Sequence, residues 1–186
     1  MRIIAGKWRS RVLAAPAGFN TRPTSDRLRE TLFNVLVPRI EGARFLDLYA
    51  GSGAVGLEAL SRGARAAAFV EKAPAALKAL RENLARLDAN QGAQVAATSA
   101  GAFLRRVAAA EPFDIVFLDP PYDADTEYET VLGLLGGASA GLLADGAVVV
   151  AEHRRKDQLA SQYGALVRVR LLEQGDAGLS FFEAAS

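Results

Sequence analysis

The sequence predicts an α/β fold with a doubly wound, mainly parallel sheet, and three observations carry that prediction. Short apolar runs suited to buried strands alternate with helical stretches from residue 43 to residue 152. A glycine-rich turn, Asp47-Leu48-Tyr49-Ala50-Gly51-Ser52-Gly53-Ala54-Val55-Gly56, joins the first run to the first of those helices. The last two apolar runs have no helix between them, only Gln174-Gly175-Asp176-Ala177-Gly178. Strand–helix alternation implies parallel pairing through right-handed crossovers. The final pair implies a hairpin, and so at least one antiparallel strand.

Residues 2–15 read as two short strands with a turn near Gly6-Lys7, in which Lys7 and Arg9 alternate on one strand face. Residues 16–24 hold Pro16, Gly18 and Pro23 and read as a loop. A helix is expected from Thr24-Ser25, either of which can cap it, with Asp26 in its first turn. Leu28, Leu32, Val35 and Leu36 then form one apolar stripe, from which Arg27, Glu30 and Asn34 fall away. Pro38 ends or kinks that helix. Strands are expected over 43–49, 66–71, 93–98, 113–118 and 147–152. Helices are expected over 55–62, from Pro74 to 88, over 100–109 and over 127–135. The hairpin pairs 166–173 with 179–184. Residues 1–40 form an N-terminal extension, hairpin and helix, on one α/β domain spanning 41–186. Trp8 is expected to pack on the core, and His153 to sit in an exposed loop after strand five beside Glu152, a loop anchor.

Composition narrows the function. The chain has 186 residues, 51% of them hydrophobic and 23% charged, which suits a globular domain with a sizeable core. No apolar run is long enough for a membrane span, and the N-terminus lacks the apolar stretch of a secretory signal. There is no cysteine and only one histidine, His153, so disulfides, thiolate metal sites, catalytic histidine triads and multi-histidine metal sites are excluded. A cytoplasmic location is the expectation. The net charge is +1, but residues 1–40 carry eight basic and two acidic residues, so the rest is net acidic. Such asymmetry suits a polyanion-facing segment, and equally a solvated basic face.

In the glycine turn, Gly51, Gly53 and Gly56 let the backbone turn tightly and approach a ligand beside a helix N-terminus. Glu71 ends the second strand, where a carboxylate can accept ribose hydroxyls. The pair indicates an adenosine-type cofactor. Asp47 bears on which one. A carboxylate there repels a pyrophosphate and attracts a cationic methionine end, which favours S-adenosylmethionine over NAD. Asp47, Ala50, Gly51, Ser52, Gly53, Glu71 and Lys72 are therefore the cofactor-binding candidates.

Four blocks carry a family resemblance. They are Arg2-Ile3-Ile4-Ala5-Gly6-Lys7-Trp8-Arg9, the run from Arg22-Pro23-Thr24 to Asn34, Asp47–Gly53, and Asp119-Pro120-Pro121-Tyr122. In that order they resemble the RsmD family of bacterial 16S ribosomal RNA guanine-N2 methyltransferases, over nearly the whole chain. The resemblance implies a Rossmann-like seven-stranded sheet of order 3-2-1-4-5-7-6 with strand seven antiparallel. It implies S-adenosylmethionine as methyl donor, S-adenosylhomocysteine as product and no metal. The implied substrate is one guanine of small-subunit ribosomal RNA, within an assembling 30S subunit or outside it, and the expected enzyme is a monomer without a membrane partner. Relatives carry Asp or Asn at the end of strand three. This chain has Ser99 there, so its hydroxyl, or the amides of Ser99 and Ala100, would meet the adenine.

In that setting Asp119, Pro120, Pro121 and Tyr122 are the catalytic candidates. An exocyclic purine amine is a weak nucleophile, because its lone pair is delocalised into the ring. The Asp119 carboxylate and the Pro120 carbonyl can hold its two N–H bonds and turn the lone pair toward the methyl group. Tyr122 offers a stacking face, worth about 1–3 kcal/mol per base. Placement and charge complementarity supply most of the rate. Arg2, Lys7, Arg9, Arg11, Arg22, Arg27 and Arg29 are the expected phosphate contacts. Alternatives left open are methylation of DNA adenine or of a protein side-chain amide, and a non-catalytic RNA-binding assembly factor.

Overall fold

The computed structural model describes residues 1–16, 24–107, 111–121 and 125–185. In chain order these form α1 (Asp26–Ile40), β1 (Arg44–Asp47), α2 (Ala54–Ser61), β2 (Ala66–Glu71), α3 (Pro74–Arg86), β3 (Ala93–Ala97), α4 (Ala100–Arg106), β4 (Phe113–Leu118), α5 (Asp125–Leu135), β5 (Leu143–Arg154), β6 (Gln162–Tyr163), β7 (Leu166–Gln174) and β8 (Ala177–Ala184). The strands make one sheet of order β3-β2-β1-β4-β5-β8-β7-β6. β3, β2, β1, β4 and β5 are parallel. β8 runs antiparallel to β5, and β7 to β8. The order matches the doubly wound expectation except for one added edge strand, β6. Its two residues pair with Leu166 and Val167 and are too few to show a hydrophobic period.

Strand residues alternate between two apolar layers, as a sheet covered on both faces requires. Phe45, Ile115, Phe117, Val148 and Val150 face one layer, filled from α1, α2 and α3 by Leu32, Phe33, Leu57 and Leu80. Leu46, Val116, Leu118 and Val149 face the other, filled from α4 and α5 by Leu104, Val131, Leu132 and Leu135.

The helix α1 starts as read: Ser25 caps it, its hydroxyl accepting from the Leu28 amide at 3.1 Å. Such a cap is worth about 1 kcal/mol. The helix passes through Pro38 to Ile40 rather than stopping there. Proline deprives the carbonyl four residues earlier of its donor. Here that residue is the exposed Asn34, which solvent can serve.

The two N-terminal strands do not form. Residues 1–13 make a single antiparallel bridge, Arg2 to Val12, and a series of turns. Lys7 and Arg9 lie in turn structure, so no strand face sets their directions. Ile3, Arg9, Ser10, Arg11 and Leu13 donate their amides within the segment, and four more amides are satisfied by α2. Glu58 accepts from Ile4 and Ala5, and Ser61 accepts from Lys7 and Trp8. Ile3 and Leu13 join the α1–α3 core layer, and Trp8 packs half-buried against it, as expected.

β5 is twice the length expected: it begins four residues earlier, with Leu143 paired to Phe113 of β4, and runs two residues further, where β8 pairs with it as far as Arg154, beyond the last β4 pair at Leu118 and Ala151. His153 is therefore a buried strand residue, not an exposed loop residue. Its ring nitrogens lie 2.9 Å from the Ser180 hydroxyl and 2.9 Å from the Arg154 carbonyl. Glu152 likewise belongs to the strand. Among the described residues no helix is long and apolar enough to cross a membrane.

Candidate active site

The site lies at the carboxyl ends of β1, β4 and β5, where open α/β sheets bind ligands. Asp47 ends β1 and is paired in register with Phe117. Asp119 follows β4, one step past the Leu118–Ala151 pair, and so stands beside Glu152 of β5. Strand alternation puts Asp47 on the side of Phe45, Asp119 on that of Phe117 and Glu152 on that of Val150. All three carboxylates thus point toward the α1–α3 layer.

Burial dominates the electrostatics of Asp47 and Asp119. Asp47 is 1% exposed, and this pushes its carboxyl up to about 7. The Gly56 amide, donating to Oδ2 at 3.1 Å, opposes the shift, the charge of Glu71 adds to it, and the Tyr49 amide opposes it. The buried Oδ1 has no hydrogen-bond partner among the described residues. Asp119 is pushed well above the carboxylate range by burial, then by the charges of Glu152 and Asp47, while a hydrogen bond with Thr24 pulls it back. Thr24, just before α1, also donates its hydroxyl to Glu152 Oε2 at 2.7 Å. Its hydroxyl therefore stands between the two carboxylates. Pro120 is buried and Pro121 exposed. Tyr122 and Arg22 lie outside the described residues.

The turn after β1 is built for close approach. Gly51 has φ +55° and Gly53, the N-cap of α2, φ +86°, both in the left-handed region that disfavours a side chain. A Cβ on Gly51 would meet nothing within 4 Å, so that side of the turn is open. A Cβ on Gly56 would lie 2.4 Å from Phe69 Cε1, so that glycine serves packing between α2 and β2. Ala50 and Ser52 are buried in the turn. Glu71 fixes the turn to α3: Oε2 accepts from the Gly51 amide at 2.9 Å, and Oε1 from the amides of Lys72 and Ala73, each at 2.8 Å. A carboxylate offers about four acceptor sites. Three are occupied, which leaves room for one ribose hydroxyl rather than two. Lys72 is exposed. Ser99 caps α4, its hydroxyl oxygen accepting from the Ala102 amide at 3.3 Å, so the hydroxyl proton stays available to a ligand. Ala100 is buried behind it.

These donors and acceptors suit a ligand with a cationic end near Asp47 and an adenosine near Glu71. Among the described residues no three His, Cys, Asp or Glu side chains are grouped to hold a metal ion.

Of the expected phosphate contacts, Arg2, Lys7, Arg9, Arg11 and Arg27 are exposed. Arg29 is not. Its side chain is fully buried, bonded to the Arg2 carbonyl and to Asp26 at 3.0 Å, with Nε 3.6 Å from Glu58 Oε2. It is an internal clamp and cannot reach a phosphate. Its position on the buried side of α1 was legible only through the stripe that places Leu28, Leu32 and Leu36 beside it.

Sequence reasoning passed over three further buried polar groups. Glu58 is enclosed in α2, and its one signal was an acid in an otherwise apolar and small-residue helix. Asn83 of α3 bonds Ala14 through both amide atoms, at 2.7 and 3.0 Å, and donates to the Ser52 carbonyl at 2.9 Å. It ties the N-terminal segment to the cofactor turn. Thr24 was marked by its motif and as an alternative cap to Ser25, which caps the helix, and its place between Asp119 and Glu152 supplies the physical reason.

Residues 1–183 match the family described as conserved hypothetical protein 95. The chain is 38% identical over 184 residues to the YlbH protein of Bacillus subtilis, covering 98% of each. It is 46% identical over 152 residues to the Escherichia coli protein named ribosomal RNA small subunit methyltransferase D, covering 82% of this chain and 74% of that one. Among solved structures, the yhhF protein of Escherichia coli superposes with a TM-score of 0.84 at 37% identity, over 99% of this chain and 97% of that one.

Proposed function

We propose, from the premise that this chain belongs to the conserved hypothetical protein 95 family, that it transfers a methyl group from S-adenosylmethionine to the N2 amine of one guanine in small-subunit ribosomal RNA. The observation that carries the reading is the placement of Asp47 and Asp119. One carboxylate with an unpartnered buried oxygen sits at the glycine turn, and a second leaves the adjacent strand before two prolines. Relatives named ribosomal RNA small subunit methyltransferase D support RNA as the substrate.

S-adenosylmethionine, when bound, supplies a methyl group on a positively charged sulfur. Asp47 Oδ1 takes its ammonium group, the bare side of Gly51 admits its backbone, and Glu71 accepts one ribose hydroxyl. Ser99 and Ala100 offer donors to the adenine. Asp119 and the Pro120 carbonyl hold the two N2 hydrogens, with Tyr122 as the stacking face. The N2 lone pair forms the bond to the methyl carbon as the carbon–sulfur bond breaks. The electron pair of that bond stays on sulfur, leaving neutral S-adenosylhomocysteine. One N2 proton passes to Asp119 or to water. The exposed cations of residues 1–27 contact RNA phosphates, and the protein works as a cytoplasmic monomer on RNA of the assembling small subunit.

The test uses purified protein and small-subunit RNA from cells lacking this methyltransferase. Mass spectrometry of the digested product is expected to find N2-methylguanine at one position. Asp119→Ala is expected to bind S-adenosylmethionine in calorimetry and to transfer no label. Full transfer by that variant overturns the role of Asp119, and binding of NAD in place of S-adenosylmethionine overturns the cofactor.

A further inference from the structure

A groove of about 820 Å³ opens between the start of α1, the end of β5 and the β7–β8 hairpin. Glu152 lines it, with Ser25, Arg27, Arg155, Lys156 and Gln174 around it. Its size suits a nucleotide, since small-molecule sites span about 300–1,000 Å³. The lining holds four cations, Arg27, Arg154, Arg155 and Lys156, and three acids, Glu152, Glu173 and Asp176. Arg154 is paired with Asp157 and Arg155 with Glu173, which leaves Arg27 and Lys156 to meet phosphates. The feature without an assigned task is Glu152 itself. It is 4% exposed, yet it borders the groove and stands beside Asp119 in register.

Burying a second carboxylate next to Asp119 is costly, because two like charges then share a site withdrawn from water. Orienting one amine does not require it, because Asp119 and the Pro120 carbonyl already provide two acceptors. The pairing makes sense for a base edge that presents donors to both carboxylates. Guanine does so: its N2 amine is flanked by N1–H, also a donor. Adenine and cytosine do the opposite, because the ring nitrogen next to their exocyclic amine carries a lone pair. Facing a carboxylate, that lone pair is repelled, a form of rejection as effective as attraction of the right base.

We propose that Glu152 is the guanine-specificity residue of this site, its carboxylate accepting the N1–H of the base whose N2 amine Asp119 holds. The Thr24 hydroxyl occupies one acceptor site of Oε2 and fixes the carboxylate's orientation. Tyr128, from α5, fixes its backbone by donating to the Glu152 carbonyl at 2.7 Å. Arg27 and Lys156, on opposite sides of the groove, hold the flanking phosphates. This inference rests on the guanine-N2 reading above and assigns that reading's choice of base to one side chain.

The test compares guanine with 2-aminopurine, which keeps the 2-amine but has a lone pair at N1. The target position is mapped by mass spectrometry. Small-subunit RNA is then ligated with guanine or 2-aminopurine at that position and presented in the form that the wild type methylates. The wild type is expected to favour guanine by at least about 100-fold in kcat/KM, as sites built around a donor reject analogues lacking it. Glu152→Gln, whose amide can donate to N1 of 2-aminopurine, is expected to bring the ratio within about 10-fold, with S-adenosylmethionine affinity unchanged. A merely structural role would lower both rates and keep the ratio. Equal rates on the two RNAs by the wild type overturn the proposal without any variant, and so does an unchanged ratio in Glu152→Gln. Absence of N2-methylguanine from the wild-type reaction on guanine RNA overturns the underlying function instead.

Discussion

Arg29 and Glu58 meet in the interior with neither side chain exposed, Arg29 Nε lying 3.6 Å from Glu58 Oε2. Glu58 also bonds the amides of Ile4 and Ala5 and the Arg62 Nε at 2.7 Å, so one carboxylate joins α1, α2 and the N-terminal segment. Removing one member of a buried pair strands the other charge and costs about 3–5 kcal/mol. Glu58→Ala is therefore expected to lower the thermal midpoint by on the order of 10 °C, since each kcal/mol moves a domain of this size by about 2–4 °C. Thermal unfolding followed by circular dichroism checks it. A shift below about 2 °C would show that the segment is not anchored through Glu58.

Gly51 and Gly56 are expected to fail in different ways when changed to alanine. Gly51→Ala adds only backbone strain from φ +55°, about 1–2 kcal/mol, because its Cβ points into open space. The fold should survive while S-adenosylmethionine binding drops beyond detection. Gly56→Ala drives a methyl group to 2.4 Å from Phe69, a ring that is wholly buried and cannot retreat. Overpacking of this kind costs about 1–3 kcal/mol, and the loss should appear in the unfolding midpoint first. Calorimetry with the cofactor and thermal unfolding, run on both variants, separate the two roles. Undiminished S-adenosylmethionine binding by folded Gly51→Ala would contradict the assignment.

The periodic parts of this fold were legible and the polar parts were not. β2 and β4 have the residues expected, because a central strand reads as a short apolar run between turn signals. The β7–β8 hairpin was legible from Gly175-Asp176 with no helix before Ala177. What failed was any feature set by a partner distant in sequence. β5 runs past its expected end at Glu152 because β8 pairs with His153 and Arg154. The N-terminal strands shrink to one bridge, across which Ile3 and Leu13 still donate, because α2, through Glu58 and Ser61, takes the amides of Ile4, Ala5, Lys7 and Trp8. Arg29 looked like one basic residue among eight, and only the packing of α1 on the sheet turns it inward. At the site, Asp47 and the glycine turn were legible because their chemistry is local. Thr24 and Glu152 are 128 residues apart and meet only through the topology.

The carboxyl of Asp47, raised from 3.8 to about 7, links cofactor binding to pH. Between those values the folded protein holds a proton that the unfolded chain releases. Stability without cofactor is therefore highest at low pH on this account and falls as pH rises through about 7. A cationic ammonium beside Oδ1 favours the ionised form, so S-adenosylmethionine affinity should climb from about pH 5.5 to 7.5, by at most about tenfold per unit. Proton release on binding should be near one at the acid end and vanish at the alkaline end. Titration calorimetry in buffers of different ionisation enthalpy measures both. Asp47→Asn should abolish the proton release and weaken binding throughout. An unchanged release in that variant would place the titrating group elsewhere.

Lys7, Arg9 and Arg11 are exposed on one compact N-terminal turn, whereas Arg29 is enclosed beneath it. Neutralising a phosphate contact removes one released counterion and lowers the slope of log affinity against log salt by about 0.7–0.9. Lys7→Gln, Arg9→Gln and Arg11→Gln should each lower the slope for small-subunit RNA by roughly that amount, with thermal midpoints changed by no more than a few degrees. Lys7 also lies over the Trp8 ring, 4.1 Å from its centroid, a contact worth about 0.5–1 kcal/mol at an exposed site. Its substitution should therefore show the largest stability change of the three. Arg29→Gln should do the reverse of all three: a lower midpoint, and no change of salt slope in the fraction that stays folded. Filter binding across a salt series gives the slopes. If the four variants shared one slope change, the basic segment would be acting through net charge alone, with no defined phosphate contacts.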